Sequence, residues 1–376
     1  MLSDKVKIGV LLSQTGAMAV TENAHLQGIL LACEEINGGG GIDGAFLEPI
    51  ILDPGGIDHR YAELATELLL QHRVNTIFGC CLSSSRKAVL PVVERFNGIL
   101  FYPSVYEGFE YSPNVIYGGA VPNQMILPLL EYIYKNYGKR IALIGSDTLY
   151  AREINRIVSE FLSSSDGVVV TETYLPFGTP SKKMEMVLHS NSDADAILST
   201  VVGEDSIALY SAYAEVKMLD GKVPIASLTT TESELAKMPP ETRAGHLSVA
   251  SYFGSMETGP NKIFVGAFKK RFGASSIPSV YSEVGYSLVH IFANAVRLCG
   301  TTETDQVLDA LSGAVFKGPG GDLFVDIDTN HFTLRPHVGR STKDGNFEVV
   351  WKSSSVIRPD PYLVAYDRSI SGQLVE

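Results

Sequence analysis

Residues 7–12 read KIGVLL, residues 24–37 read AHLQGILLACEEIN and residues 49–53 read PIILD. The first is a short strand of the buried type. The second sets Leu26, Ile29, Leu30, Cys33 and Ile36 on one face at helical spacing, and the third returns as a strand. Together they make a βαβ unit. Gly38 to Gly41 and Gly44 come after the helix, where the chain must stop it and turn with φ > 0. A dinucleotide fingerprint places its glycines between a strand and the following helix. These separate a helix from the following strand, so they are read as a turn.

The alternation continues outward. Helix Tyr61 to His72, strand Asn75 to Phe78, helix Ser84 to Phe96, strand Ile99 to Pro103 and strand Val115 to Tyr117 complete one lobe near residue 120. A second series runs from helix Gln124 to Tyr137, through strands starting at Arg140, Val168, Ala196 and Pro224, to strand Leu247 to Ser251. Strands alternating with helices of this length imply mostly parallel sheets covered on both faces. Helices over 262–272, 281–298 and 305–312 and strands over 323–327, 332–340 and 346–352 follow. They predict that the chain crosses back to complete the first lobe and then returns to the second. The expected fold is therefore α/β, with two doubly wound, mostly parallel lobes joined by a multi-strand hinge. Residues 1–121 plus 253–330 form the first lobe and 122–252 plus 331–376 the second. The 376 residues agree, since a single core rarely grows past about 300.

Thirty Lys and Arg against 42 Asp and Glu give a formal charge of −12, which repels nucleic acid and anionic lipid but not a small neutral ligand. Cys33, Cys80, Cys81 and Cys299 show no CxxC or His-spaced cluster, so no metal site or cofactor is expected and the thiols are read as buried and free. No run of about 18 apolar residues occurs, and the start at Met1 carries no apolar leader segment. The expected placement is cytoplasmic, with a periplasmic protein lacking its leader as the alternative.

In open α/β sheets ligands bind beyond the carboxyl ends of the strands, so the loops there are the candidate site. In the first lobe they are rich in hydroxyls: Ser13-Gln14-Thr15-Gly16, Cys81-Leu82-Ser83-Ser84-Ser85 and Pro103-Ser104-Val105-Tyr106. Ser83 or Ser84 can cap the following helix, and Ser83 and Ser104 can also face a ligand carbonyl. In the second lobe Asp205, Thr231 and Glu232 suit N-cap or first-turn positions; Asp205 and Thr231 are also candidate ligand contacts, Asp205 as the acceptor for ligand N–H groups. Cys80, Lys87 and Glu94 are the residue types of a thiol amidase, yet Lys87 and Glu94 lie seven apart on one helix with no base set against the thiol. Catalysis is not expected.

The stretches Gly79-Cys80, Arg86 to Arg95, Phe101-Tyr102-Pro103, Tyr106 to Asn114, Pro122-Asn123-Gln124, Ile144 to Asp147 and Ile357 to Tyr362 resemble the amide and urea branch of the type I, branched-chain-amino-acid-type periplasmic binding proteins. The resemblance runs from about residue 6 to about residue 367. Asp53 to Gly56, Ile225 to Thr230 and Ala236 to Met238 are most similar to the aliphatic amidase negative regulator family, whereas Glu204-Asp205-Ser206 looks more like the urea-binding group. The regulator resemblance implies a cytoplasmic sensor of short amides working with an antiterminator protein. The urea resemblance implies the substrate-binding protein of an ABC transporter, partnered by a permease. By position, the implied ligand-contacting residues are Ser83, Tyr102, Ser104 and Tyr150. Three positions depart: Cys81 and Thr148 stand where the regulator family has tyrosines, and Val105 where it has proline. Two missing rings imply a roomier site.

Overall fold

The computed structural model describes residues 2, 4–216 and 222–365. The chain forms two compact units. One contains 1–106, 110–120 and 256–334, and the other contains 107–109, 121–255 and 335–376.

The first unit opens with β1 (Lys5–Leu11), α1 (Ala19–Gly38), β2 (Phe46–Leu52), α2 (Asp58–Leu70), β3 (Thr76–Gly79), α3 (Ser83–Arg95), β4 (Ile99–Tyr102) and β5 (Val115–Tyr117). The strands form one parallel sheet in the order β2-β1-β3-β4-β5. Pro49 fits within β2 because that strand lies at the sheet edge, where a missing N–H costs no ladder bond. The central strands are wholly buried, as expected for a sheet covered on both faces. Phe78 and Phe101 stack with ring centroids 4.6 Å apart, and Phe292 meets both rings edge-on.

The second unit runs α4 (Pro122–Asn136), β6 (Arg140–Ser146), α5 (Leu149–Ser164), β7 (Val168–Leu175), α6 (Ser181–His189), β8 (Ala196–Thr200), α7 (Glu204–Glu215), β9 (Ile225–Ser227), α8 (Glu232–Leu235), α9 (Pro240–Arg243) and β10 (Leu247–Ala250). The chain then returns to the first unit as α10 (Gly259–Phe272), α11 (Val280–Cys299), α12 (Thr304–Leu311) and the small antiparallel sheet β11 (Val315–Gly318), β12 (Gly321–Val325) and β13 (Phe332–Thr333). It ends in the second unit with β14 (His337–Ser341) and β15 (Phe347–Lys352), giving a seven-stranded sheet in the order β15-β14-β10-β9-β8-β6-β7. Its pairings are parallel except those of β14, which runs antiparallel to both β10 and β15.

The α/β architecture with two mostly parallel sheets is as read from the sequence. Two local features differ from that reading. The strand expected over 332–340 is two strands in different units, broken at Leu334 to Pro336, because β13 pairs with β12 and β14 with β10. Residues 331–334 consequently belong to the first unit, where His331 is wholly buried and bridges Tyr117. The sequence pattern also leaves β11 unmarked, since that strand is mostly exposed and carries no buried run.

Two helices of the first unit approach unusually closely. A Cβ added at Gly28 of α1 would stand 1.9 Å from the Ser282 carbonyl oxygen of α11, and one at Gly285 of α11 would stand 2.6 Å from the His25 carbonyl oxygen. Only glycine lets the backbones meet there.

Candidate ligand-binding site

The loops at the carboxyl ends of β3 and β4 bring together Cys81, Ser83, Tyr102 and Ser104, all buried, with Val105 half-buried beside them. Strand β3 ends in a sharp turn. A Cβ at Gly79 would meet the Leu11 carbonyl oxygen at 2.1 Å, and Cys80 follows at φ 65°, a conformation rare for a residue with a side chain. The N-cap of α3 is Leu82, not Ser83 or Ser84, and its side chain makes no capping bond. The serines have other partners. Ser84 Oγ donates to Asp58 Oδ1 at 2.9 Å and Ser85 Oγ to the Leu82 carbonyl at 2.8 Å, while Ser83 Oγ accepts from Arg86 Nη1 at 3.3 Å.

Arg86 is the feature that sequence reading missed. Its side chain is wholly buried, and its Nε donates to Glu110 Oε1 at 2.7 Å. The guanidinium carbon lies 4.4 Å from the Tyr106 ring centroid and 4.8 Å from that of Tyr102, within cation–π range. Lys87 Nζ adds a second bond to Glu110 at 3.1 Å. Burial alone would raise the Glu110 pKa, but the Arg86 charge and the bonds from Arg86 and Lys87 outweigh it and hold the carboxyl below its ordinary range. Behind this pair Tyr106, Tyr117 and His331 stack, with the Tyr117 and His331 centroids 4.2 Å apart at 3°. No local signal links residues 86 and 110, which lie on a helix and in a loop and meet only in the fold.

Tyr102 Oη donates to the Cys81 carbonyl at 2.6 Å, and Ser104 Oγ lies 3.0 Å from His25 Nε2. A second buried network ties β1 to α1 and α2. Glu22 accepts the Ser13 N–H and the Tyr61 hydroxyl, and Ser13 Oγ accepts the Gly56 N–H at 2.8 Å. Burial pushes the Glu22 pKa up to about 7 despite these bonds.

In the second unit the candidates are spread over separate loops. Thr148 is the N-cap of α5, its Oγ1 accepting the Ala151 N–H at 3.2 Å. Tyr150, two residues on, is buried, and its Oη has no hydrogen-bond partner among the described residues. Thr231 caps α8, with its N–H and hydroxyl both donating to Glu234 Oε2 at 2.8 and 2.6 Å. Asp205, in the first turn of α7, accepts the Gly178 N–H with both oxygens at 3.2 and 3.1 Å. Its carboxylate therefore ties down the Gly178 turn, with acceptor capacity left over on both oxygens.

The residue types of a thiol amidase are committed elsewhere. Lys87 bonds Glu110, Glu94 accepts Ser112 Oγ at 2.8 Å, and burial pushes the Cys80 thiol strongly up. A thiol held neutral in this way is a poor nucleophile. Among the described residues Cys33, Cys80 and Cys81 are buried free thiols, Cys299 is half-buried, and no group of acidic, His and Cys side chains is arranged to hold a metal ion.

The model of the periplasmic binding protein domain family matches residues 6–368, nearly the whole chain. The chain belongs to the periplasmic binding protein domain family. It is 24% identical over 342 residues to the leucine-, isoleucine-, valine-, threonine- and alanine-binding protein of Pseudomonas aeruginosa, covering 87% of each. A shorter match, 29% identical over 120 residues, is to a limonene hydroxylase of Geobacillus stearothermophilus, and spans 32% of this chain but only 22% of that protein's length. Among solved structures, the solute-binding protein of an ABC transporter from Rhodopseudomonas palustris, in complex with 3,4-dihydroxybenzoic acid, superposes with a TM-score of 0.85 at 21% identity over 95% of this chain and 99% of that one. This periplasmic binding protein fold is a non-enzymatic one in the full-length relatives and neighbours. Family membership also overturns the cytoplasmic placement, since the members are periplasmic proteins. No helix among the described residues is long and apolar enough to cross a membrane.

Proposed function

We propose that this periplasmic binding protein is the substrate-binding component of an ABC transporter, delivering a small neutral ligand of the short-chain amide or urea class to a permease. The observation that carries the ligand class is the state of Arg86. It is the cation next to the Ser83 hydroxyl, and it is already paired with Glu110. A ligand carboxylate at this edge of the first unit's sheet meets hydroxyls and carbonyls backed by a neutralised charge, whereas an amide or urea meets groups that match it without ionic partners. Ser83, Tyr102 and Ser104 are the proposed contacts in the first unit, with Cys81 and Val105 as walls, and Tyr150 and Thr148 in the second. The sequence resemblance to the amide and urea branch supports the same class. Relatives that bind branched-chain amino acids or a hydroxybenzoic acid define the competing ligands.

Isothermal titration with formamide, acetamide, propionamide, butyramide and urea, against isoleucine and 3,4-dihydroxybenzoate, tests the reading. Saturable binding of at least one amide or urea, tighter than either acid, is expected. Binding of isoleucine or the benzoate alone sinks the amide class.

A further inference from the structure

The Ser104 hydroxyl is held from behind by an imidazole whose protonation the backbone dictates. His25 is wholly buried on α1. Its Nδ1 lies 2.9 Å from the Tyr281 carbonyl oxygen of α11, and its Nε2 lies 3.0 Å from Ser104 Oγ. A carbonyl oxygen can only accept, so Nδ1 carries the ring proton. Burial lowers the imidazole pKa to about 3 against the opposing pull of the Tyr281 carbonyl, so the ring is neutral and Nε2 is a bare acceptor. The hydroxyl of Ser104 has one hydrogen, and Nε2 takes it. What Ser104 then offers to anything else is lone pairs.

We propose that His25 is a positioning residue that fixes Ser104 as a hydrogen-bond acceptor, so that the site requires an N–H of the ligand at this point and disfavours a carboxylate oxygen. The proposal rests on the reading of Ser104 as a ligand contact for an amide or urea.

Three further observations fit this assignment. The close approach of α1 and α11 at Gly28 and Gly285 brings the Tyr281 carbonyl within reach of the imidazole. Tyr102, the neighbouring candidate contact, likewise commits its hydroxyl hydrogen to a backbone carbonyl, that of Cys81. The same device recurs beneath the site, where His331 Nδ1 donates to the Thr329 carbonyl at 2.6 Å and its Nε2 accepts from the Tyr106 hydroxyl.

The test is His25→Asn, which keeps an N–H near the Nδ1 position for the Tyr281 carbonyl and removes the acceptor facing Ser104. Titration with propionamide and propionate gives the preference for amide over acid. The variant is expected to lower that preference at least tenfold, about 1.4 kcal/mol, because the Ser104 hydroxyl becomes able to donate. Equal weakening of both ligands, or an unchanged preference, overturns the proposal and leaves the amide reading standing. If no amide or urea binds the unsubstituted protein, the amide reading falls and takes this proposal with it. Should the variant fail to fold, nitrogen-15 NMR of the histidine-labelled unsubstituted protein decides: a proton on Nδ1 of His25 is expected, and one on Nε2 overturns the assignment.

Discussion

The two units hold their strand-end loops by different means. In the first, the loops after β3 and β4 lean on buried charge and stacked rings: Arg86 with Glu110, the Tyr106, Tyr117 and His331 stack, and His25 behind Ser104. In the second, helix caps, hydroxyls and two carboxylates do the holding, through Thr148, Thr231 with Glu234, Ser227 on the Thr229 and Thr230 N–H groups, and Asp205 on the Gly178 N–H, while Tyr150 Oη and Glu232 Oε2 have no partner among the described residues. The first arrangement fixes donor and acceptor directions before any ligand arrives. The second leaves two buried polar atoms without a protein partner among the described residues.

The largest expected effect breaks the first arrangement. Arg86→Leu leaves Glu110 buried without its main counter-charge and is expected to cost about 3–5 kcal/mol, read from urea denaturation, whereas Asp205→Asn in the second unit is expected to cost under about 1 kcal/mol. Equal effects would erase the contrast.

Acidity separates the units by a second route. Burial raises Glu22 and Glu283 to about 7 in the first unit and Glu232 to about 8 in the second. For a group whose folded pKa is raised, the stability it contributes is fully present below the unfolded value near 4.5 and is lost as pH rises through the folded value. Four buried histidines, His25 lowered to about 3 and His246, His331 and His337 to about 4, act the other way up to their unfolded value of 6.5. Thermal denaturation is therefore expected to show stability falling between about pH 6.5 and 8, with Glu232→Gln flattening that whole window and Glu22→Gln only its lower end.

Gly28→Ala is expected to destabilise by about 1–3 kcal/mol, because the new methyl meets the α11 backbone, which cannot move aside as a flexible side chain would. Thr231→Ala is expected to cost about 1 kcal/mol through loss of the α8 cap, with circular dichroism melting as the measurement. Smallest in stability is Tyr150→Phe: removing a buried hydroxyl that has no partner among the described residues should leave the melting temperature unchanged or slightly higher, while ligand affinity in titration drops. A loss of stability with intact affinity would remove Tyr150 from the site.

Period and punctuation made the architecture readable. Strand runs of KIGVLL type, helices at 3.6 spacing and glycines after rather than before a helix point to two parallel-sheet lobes and rule out a phosphate loop. The failures were local. The stretch 332–340 looks like one strand because hydrophobic period is blind to which sheet a residue joins, and β11 is too exposed to show a pattern. Ser83 reads as a cap because serine caps often, but Leu82 holds that position.

The candidate site was legible only as loops. Residue type and place on a strand end marked Ser83 and Ser104, and resemblance added Tyr102, Tyr150 and the ligand class. Nothing in a linear reading pairs Arg86 with Glu110, or His25 with a carbonyl 256 positions away and a serine 79 positions away. Hydrophobic alternation and turn chemistry act over a few residues, so the sequence by itself determined the layers and the loops. Charge pairing, tautomer and hydrogen-bond direction depend on groups that burial brings within about 3 Å, and those only the tertiary structure decided.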